Sequence, residues 1–168
     1  ITSALEFFKM VDIEALLKDV NPPYFANSKW EPGNPVYYSG PYWDNQELGA
    51  AVNGLLNGKW LASGEKVYEF EKKFSKQFNK GYSLMVNSGS SANLVMIAAL
   101  KKRFGWQDGD EIIVSCVGFP TTIAPIVQNN LKPVFVDIDF SDLNWSIDEI
   151  EDKVSTKTRA LFSSPVLG

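Results

Sequence analysis

The sequence predicts a three-layer α/β/α fold built on a mostly parallel sheet. Three observations point there. From Tyr82 onward, short runs that are apolar on both faces alternate with segments of helical period. Turn residues mark the joints, at Asp108-Gly109-Asp110, Asn129-Asn130 and Asp139-Phe140-Ser141-Asp142. The chemistry-bearing residues gather where those runs end, the edge at which open α/β sheets bind ligands.

The elements follow in order. Residues Ile1–Val20 carry a helical pattern in Leu5, Phe8, Val11, Leu16 and Val20. Asn21–Tyr42 is rich in Pro, Gly, Tyr and Asn and reads as an extended arm, with Trp30, Tyr37, Tyr38, Tyr42 and Trp43 in or beside it. That many aromatics on an irregular arm either pack against another surface or cover the domain's own core. Residues 1–43 thus form an N-terminal helix and arm, and residues 44–168 an incomplete large domain. Asp44 has N-cap chemistry for a helix to about Leu56, which Gly58 breaks. A second helix, Lys66–Phe78, follows Ser63-Gly64-Glu65. Its Val67, Phe70, Phe74 and Phe78 fall at spacings of three and four and predict a core-facing stripe. Strands are predicted at Tyr82–Val86, Glu111–Cys116, Pro133–Ile138 and Arg159–Ser163. Helices are predicted at Ser91–Arg103, Thr122–Asn129 and Ile147–Val154. The chain opens at Ile1 and closes on Pro165-Val166-Leu167-Gly168, just after an apolar run, where an α/β protein turns into its next unit. The expectation is a part of a longer polypeptide.

Composition removes several function classes. The 168 residues hold 45% hydrophobic side chains, enough for a folded domain with a core. The net charge of −4 leaves no basic footprint for nucleic acid or an anionic membrane. No apolar run reaches membrane-spanning length. The absence of histidine eliminates Ser-His and Cys-His nucleophile pairs and His-based metal sites, and the lone Cys116 builds neither a thiolate zinc site nor a disulfide. No metal site is expected. A single thiol and no secretory segment fit the cytoplasm. Gly54–Lys59 is one residue short of a P-loop and is followed by Trp60, and no G-x-G-x-x-G occurs.

Two segments carry candidate chemistry. In Leu84–Leu94 an apolar run enters a small, hydroxyl-rich turn and a helix follows at once. This aims N–H groups and hydroxyls at one spot beside the positive end of a helix dipole, which suits a phosphate group. Gly89 lets the backbone approach an anion, and Ser90 and Ser91 add hydroxyls and N–H groups. The alternative is that Ser88–Ser91 only cap the helix. In Val117–Thr122, Phe119 stands between Gly118 and Pro120 just past a strand end. It reads either as a wall for a planar ring or as ordinary core packing. Asp137 and Asp139 read as turn and capping residues, with Asp137 also able to reach a ligand.

The ordered set Asn87-Ser88-Gly89-Ser90-Ser91-Ala92-Asn93-Leu94, Gly109-Asp110-Glu111-Ile112-Ile113-Val114, Gly118-Phe119-Pro120-Thr121-Thr122 and Lys132-Pro133-Val134-Phe135-Val136-Asp137 resembles the sugar aminotransferase and dehydrase family of fold-type I pyridoxal-phosphate enzymes. Ser63-Gly64 followed by Val67-Tyr68-Glu69-Phe70-Glu71 adds to the likeness, which covers about Tyr37 to Gly168. Among its members the chain looks most like the nucleotide-sugar 3-dehydrase branch, such as the CDP-6-deoxy-hexulose 3-dehydrase or its GDP-linked counterpart. The resemblance implies the N-terminal part of a fold-type I large domain. It makes Gly89, Ser90 and Ser91 the phosphate cradle of pyridoxal or pyridoxamine 5'-phosphate, and Phe119 the ring that stacks on the pyridine. It further implies a nucleotide-sugar substrate and a homodimer. The family's pyridine-nitrogen Asp and its Schiff-base position, Lys in aminotransferases and His in dehydrases, fall beyond Gly168. No catalytic residue is therefore assigned here. By the same likeness the alternatives are a nucleotide-sugar aminotransferase and a non-catalytic fragment or assembly module.

Overall fold

The computed structural model of the chain describes residue 15, residues 30–36, residue 40, residues 43–58 and residues 62–164. The helix expected over residues 1–20 and most of the arm over 21–42 lie outside the described residues. The chain divides into two compact units, residues 1–85 and 86–168.

In the first unit, helix α1 (Asn45–Asn57) starts where the sequence places its cap. The Asp44 carboxylate accepts from Gln46 N at 2.7 Å, and the Glu47 carboxylate accepts from Asp44 N at 2.8 Å. These two bonds satisfy otherwise orphaned N–H groups reciprocally. Helix α2 (Glu65–Gln77) follows Gly64. Its aromatic stripe departs from expectation: Phe70, Phe74 and Phe78 are about half exposed, at 49%, 44% and 54%, and Ser75 is the buried residue of the helix. The rings pack along the helix on one another instead, with centroids 5.6 Å apart for Phe70–Phe74 and 4.6 Å for Phe74–Phe78.

The strand expected at Tyr82–Val86 is not formed. The segment runs without ladder partners among the described residues, and Tyr82 is 96% exposed. Its polar contacts go to α2, where the Ser83 hydroxyl donates to the Glu71 carbonyl and Met85 N donates to the Glu71 carboxylate. A strand requires a neighbour's free edge, and an apolar alternation does not supply one.

The second unit holds helix α3 (Gly89–Phe104), strand β1 (Glu111–Ser115), helix α4 (Pro120–Gln128), strand β2 (Lys132–Val136), helix α5 (Ile147–Lys153) and strand β3 (Thr158–Phe162). Among the described residues the sheet has three strands, not four, in the order β2-β1-β3, and both pairings are parallel. Helix α4 starts two residues earlier than its period suggests, because Pro120 is preorganised for the first helical position. Gly105 closes α3 in the left-handed region, at φ 67°, where a side chain is disfavoured. The central strand explains the continuous apolar run of Ile112-Ile113-Val114: all three are fully buried, on both faces of the sheet. Ile112 and Val114 join Ile97 of α3, Ile126 of α4 and Leu131 in one core, with Trp106, Ile123, Ala160 and Phe162 packed against it.

The amino ends of the strands are tied by charge. Arg159 grips Asp110 with two nitrogens, at 2.8 and 3.1 Å. Glu111 accepts from Lys132 at 3.0 Å and from the Ser155 hydroxyl at 2.6 Å. Lys101 pairs with Asp108. The carboxyl ends of β1 and β3 are left to hydroxyls, glycine and aromatic rings.

Candidate functional site

Helix α3 begins at the candidate anion turn. Ser88 is its N-cap in extended backbone, and the Ser88 hydroxyl oxygen accepts from Ser91 N at 3.2 Å. The Ser91 hydroxyl donates to the Asn87 side-chain carbonyl at 2.6 Å and lies 3.2 Å from the Ser88 hydroxyl. Asn87, Ser88 and Ser91 thus form a closed knot that shapes the turn. Gly89 and Ser90 stay outside it. Among the described residues no protein acceptor takes their N–H groups, and the Ser90 hydroxyl has no protein partner. The space beside Gly89 is open, since a Cβ there meets no heavy atom within 4 Å. The first turn of α3 carries no acidic residue, and its last turn carries Lys101, Lys102 and Arg103. Both arrangements leave the amino end of the helix attractive to an anion.

Phe119 caps α4 from extended backbone, at φ −80° and ψ 135°, and the residue is 68% exposed. It lies outside the core cluster. With Ser115, Gly118, Thr122, Trp145 and Phe162 it lines a shallow depression at the carboxyl ends of β1 and β3. Gly89, Ser90 and Ser91 do not line that depression. The link between them is Asn93, one turn into α3, whose amide donates to the Thr121 carbonyl of α4 at 3.2 Å.

The acidic residues past β2 behave as structural groups. Asp139 accepts from Ser141 N and shapes the turn. Asp137 accepts from Ile138 N at 2.8 Å and from the Cys116 thiol at 3.2 Å, and these two bonds hold its carboxyl below the usual range. The same contact, with some loss of solvent around the exposed thiol, pushes Cys116 up. Among the described residues no cluster of His, Cys, Asp and Glu is arranged to hold a metal ion. No described helix is long and apolar enough to cross a membrane.

Sequence reasoning did not single out Asn87, Asn93 or Trp145. Asn87 and Asn93 flank the serine turn and were legible only as part of its motif. Trp145 is separated from Phe119 by 26 residues and lines the same depression, so no local pattern announces it.

Comparison with known proteins places these features in a wider set. The sequence profile of the DegT/DnrJ/EryC1/StrS aminotransferase family matches residues 43–168. The chain is 41% identical over 128 residues to a GDP-4-keto-6-deoxy-D-mannose 3-dehydratase of Yersinia pseudotuberculosis, an alignment covering 75% of this chain and 32% of the relative. It is 38% identical over 152 residues to a dTDP-4-dehydro-2,6-dideoxy-D-glucose 3-dehydratase of Saccharopolyspora spinosa, covering 88% of this chain and 32% of that one. Among solved structures, an Escherichia coli GDP-4-keto-6-deoxy-D-mannose-3-dehydratase with bound hydrated PLP is similar with a TM-score of 0.64 and 42% identity, over 71% of this chain and 31% of that one. The chain spans about a third of the length of the curated relatives it matches.

Proposed function

The chain belongs to the DegT/DnrJ/EryC1/StrS aminotransferase family, and on that premise we propose that the whole protein is a pyridoxal- or pyridoxamine-phosphate-dependent 3-dehydrase acting on a nucleotide-linked 4-keto-6-deoxyhexose in deoxysugar biosynthesis. The carrying observation is the amino end of α3, where no described protein acceptor takes the Gly89 and Ser90 N–H groups, a Cβ on Gly89 meets no atom within 4 Å, the Ser90 hydroxyl is without a protein partner and the first turn holds no acidic residue. The 41% identity to a 3-dehydratase supports the choice of reaction.

The residues present fit a flat, phosphorylated cofactor. A phosphate monoester needs several N–H and O–H donors and no nearby anion, and Gly89 and Ser90 supply that set. A pyridine ring needs a flat apolar wall, and Phe119 offers an uncovered one at the strand ends. When bound, the cofactor supplies an electron-accepting ring. This chain's own part is to bind and orient: α3 fixes the phosphate, Phe119 limits tilt of the ring and keeps water off its face, and the Asn87–Ser88–Ser91 knot holds the turn in shape. Ser91 contributes to the cradle through this knot. We assign residues 44–168 to the cofactor-binding large domain, a homodimer to the enzyme and the cytoplasm to its location. Trp30, 59% exposed in the arm, and the lone thiol Cys116 support the last two assignments.

The test is to add pyridoxal or pyridoxamine phosphate to the full-length protein, then a nucleotide-linked 4-keto-6-deoxyhexose, and follow the sugar by NMR. Loss of the 3-hydroxyl supports the proposal. Appearance of an amino sugar assigns the aminotransferase reaction, which the matched family's description also accommodates. No cofactor uptake by a folded protein sinks both. Sedimentation at micromolar concentration tests the homodimer, and a monomer there counts against it.

A further inference from the structure

Helix α4 contains a proline at an interior position, Pro125. In an α-helix the carbonyl of residue 121 accepts from the N–H of residue 125, and proline has none to give. The Thr121 carbonyl therefore loses its ordinary helical donor two residues from Phe119. The structure supplies a replacement from another helix: the Asn93 amide of α3 donates to that carbonyl at 3.2 Å, across 28 residues of sequence, in a half-buried setting. The same turn of α3 starts at Gly89 and Ser90, and the same turn of α4 starts at Phe119.

We propose that Asn93 is a positioning residue: by clamping the carbonyl that Pro125 leaves without a donor, it sets where Phe119 stands relative to the Gly89–Ser90 anion turn. The inference rests on the cofactor reading for what the spacing serves, though the clamp itself is a property of the two helices. The chemistry explains the residue type. A carbonyl needs a donor, and the asparagine amide is a short, neutral one. Aspartate has the same shape but presents only acceptors when ionised, and alanine presents nothing. A phosphate and a ring joined by a few bonds demand a fixed distance between their two subsites, and a single hydrogen bond between the helices that carry them is a direct way to hold it.

The experiment separates satisfying a carbonyl from holding a distance. Asn93→Ala, Asn93→Asp, Pro125→Ala and the double variant Asn93→Ala/Pro125→Ala are prepared in the full-length protein. A 4-fluorophenylalanine is placed at position 119 alone, and pyridoxal phosphate is the titrated ligand. In the double variant the residue at 125 regains an N–H, so the Thr121 carbonyl is satisfied within its own helix while the link to α3 stays cut. The expected result is that Asn93→Ala and Asn93→Asp melt lower and bind the cofactor about tenfold more weakly. In the cofactor-free protein their fluorine line at position 119 broadens or splits. Relative to Pro125→Ala, which removes the same buried ring atoms, the double variant recovers melting temperature but neither affinity nor a single narrow line. Recovery of all three in the double variant overturns the inference, because Asn93 is then only a partner for an orphaned carbonyl. Wild-type affinity and line shape in Asn93→Asp overturn it as well. If Asn93→Ala does not fold, the double variant decides alone. If the wild-type protein takes up no cofactor, the proposed function falls, and the fluorine comparison still decides the clamp.

Discussion

The two edges of one sheet are built by opposite rules. At the amino edge, each strand starts in an ion pair or a hydrogen-bonded carboxylate: Asp110 with Arg159, Glu111 with Lys132 and Ser155. At the carboxyl edge β1 and β3 run into Ser115, Val117, Gly118 and Ser164, with Phe119 uncovered and the Gly89 and Ser90 donors open, while past β2 the Asp137 carboxylate is taken by Ile138 N and the Cys116 thiol. One edge has its polar groups matched to each other. The other keeps donors and an aromatic face in reserve. The difference teaches where to look for chemistry in such a fold: at the edge where satisfaction is incomplete, rather than where charges are densest.

The comparison is sharpened first by cutting the layer between the edges. Ile112→Ala empties a fully buried site in the central strand and should cost about 2–5 kcal/mol of stability, read by denaturant unfolding, with cofactor affinity per folded molecule unchanged. A carboxyl-edge change should do the reverse. Ser90→Asp puts a negative charge where the phosphate is to sit and should weaken cofactor binding by about a hundredfold or more while the melting temperature holds. Unaltered affinity in that variant would reduce the serine turn to a helix cap.

An amino-edge change should show no ligand effect at all. Asp110→Asn loses the charged half of the Arg159 grip and should lower the melting temperature by several degrees. The Arg159 guanidinium and the Gln107 N–H hold the Asp110 carboxyl below its ordinary range, and Ser155 and Lys132 do the same for Glu111. A carboxyl depressed in the folded state adds stability above its unfolded pKa, and that stability is lost as pH falls through the folded value. The gap between wild type and Asp110→Asn should therefore be full at neutral pH and close as pH drops below about 4. A gap that persists in acid would show that the loss is steric. The smallest effect is expected at the ring wall. Phe119→Ala should weaken cofactor binding by about 0.5–1.5 kcal/mol beyond the lost contact area, leave melting unchanged, and be largely spared by Phe119→Trp. Unfolding of Phe119→Ala with unchanged affinity would return Phe119 to the core.

Much of the fold was legible. The runs that form β1, β2 and β3 are placed to within a residue or two: β1 is buried on both faces and leaves an unbroken apolar signature, and β2 and β3, exposed at Phe135 and Leu161, are short apolar runs bounded by turn residues. Tyr82–Val86 carries an apolar run too and is no strand, since pairing is a relation to a second segment and the run records only one side of it. The Phe70–Phe74–Phe78 stripe fails for a related reason: a period of three and four identifies a face but not what covers it. At the candidate site, Gly89, Ser90, Ser91 and Phe119 stood out because strand ends and helix starts are local events. Asn93 did not, although its cue was present in Pro125, four residues after Thr121. Reading that cue needed the knowledge that α3 lies against α4.

The Asn93–Pro125 arrangement also bears on descent. Two positions that share one backbone carbonyl are not free to change in either order. A lineage that replaces Pro125 first gives Thr121 an N–H within its own helix, and the asparagine amide becomes a second partner instead of a needed one. A lineage that replaces Asn93 first strands a half-buried acceptor and meets selection at once. Drift away from this sequence should accordingly pass through chains that have lost the proline and kept the asparagine, and seldom through the reverse.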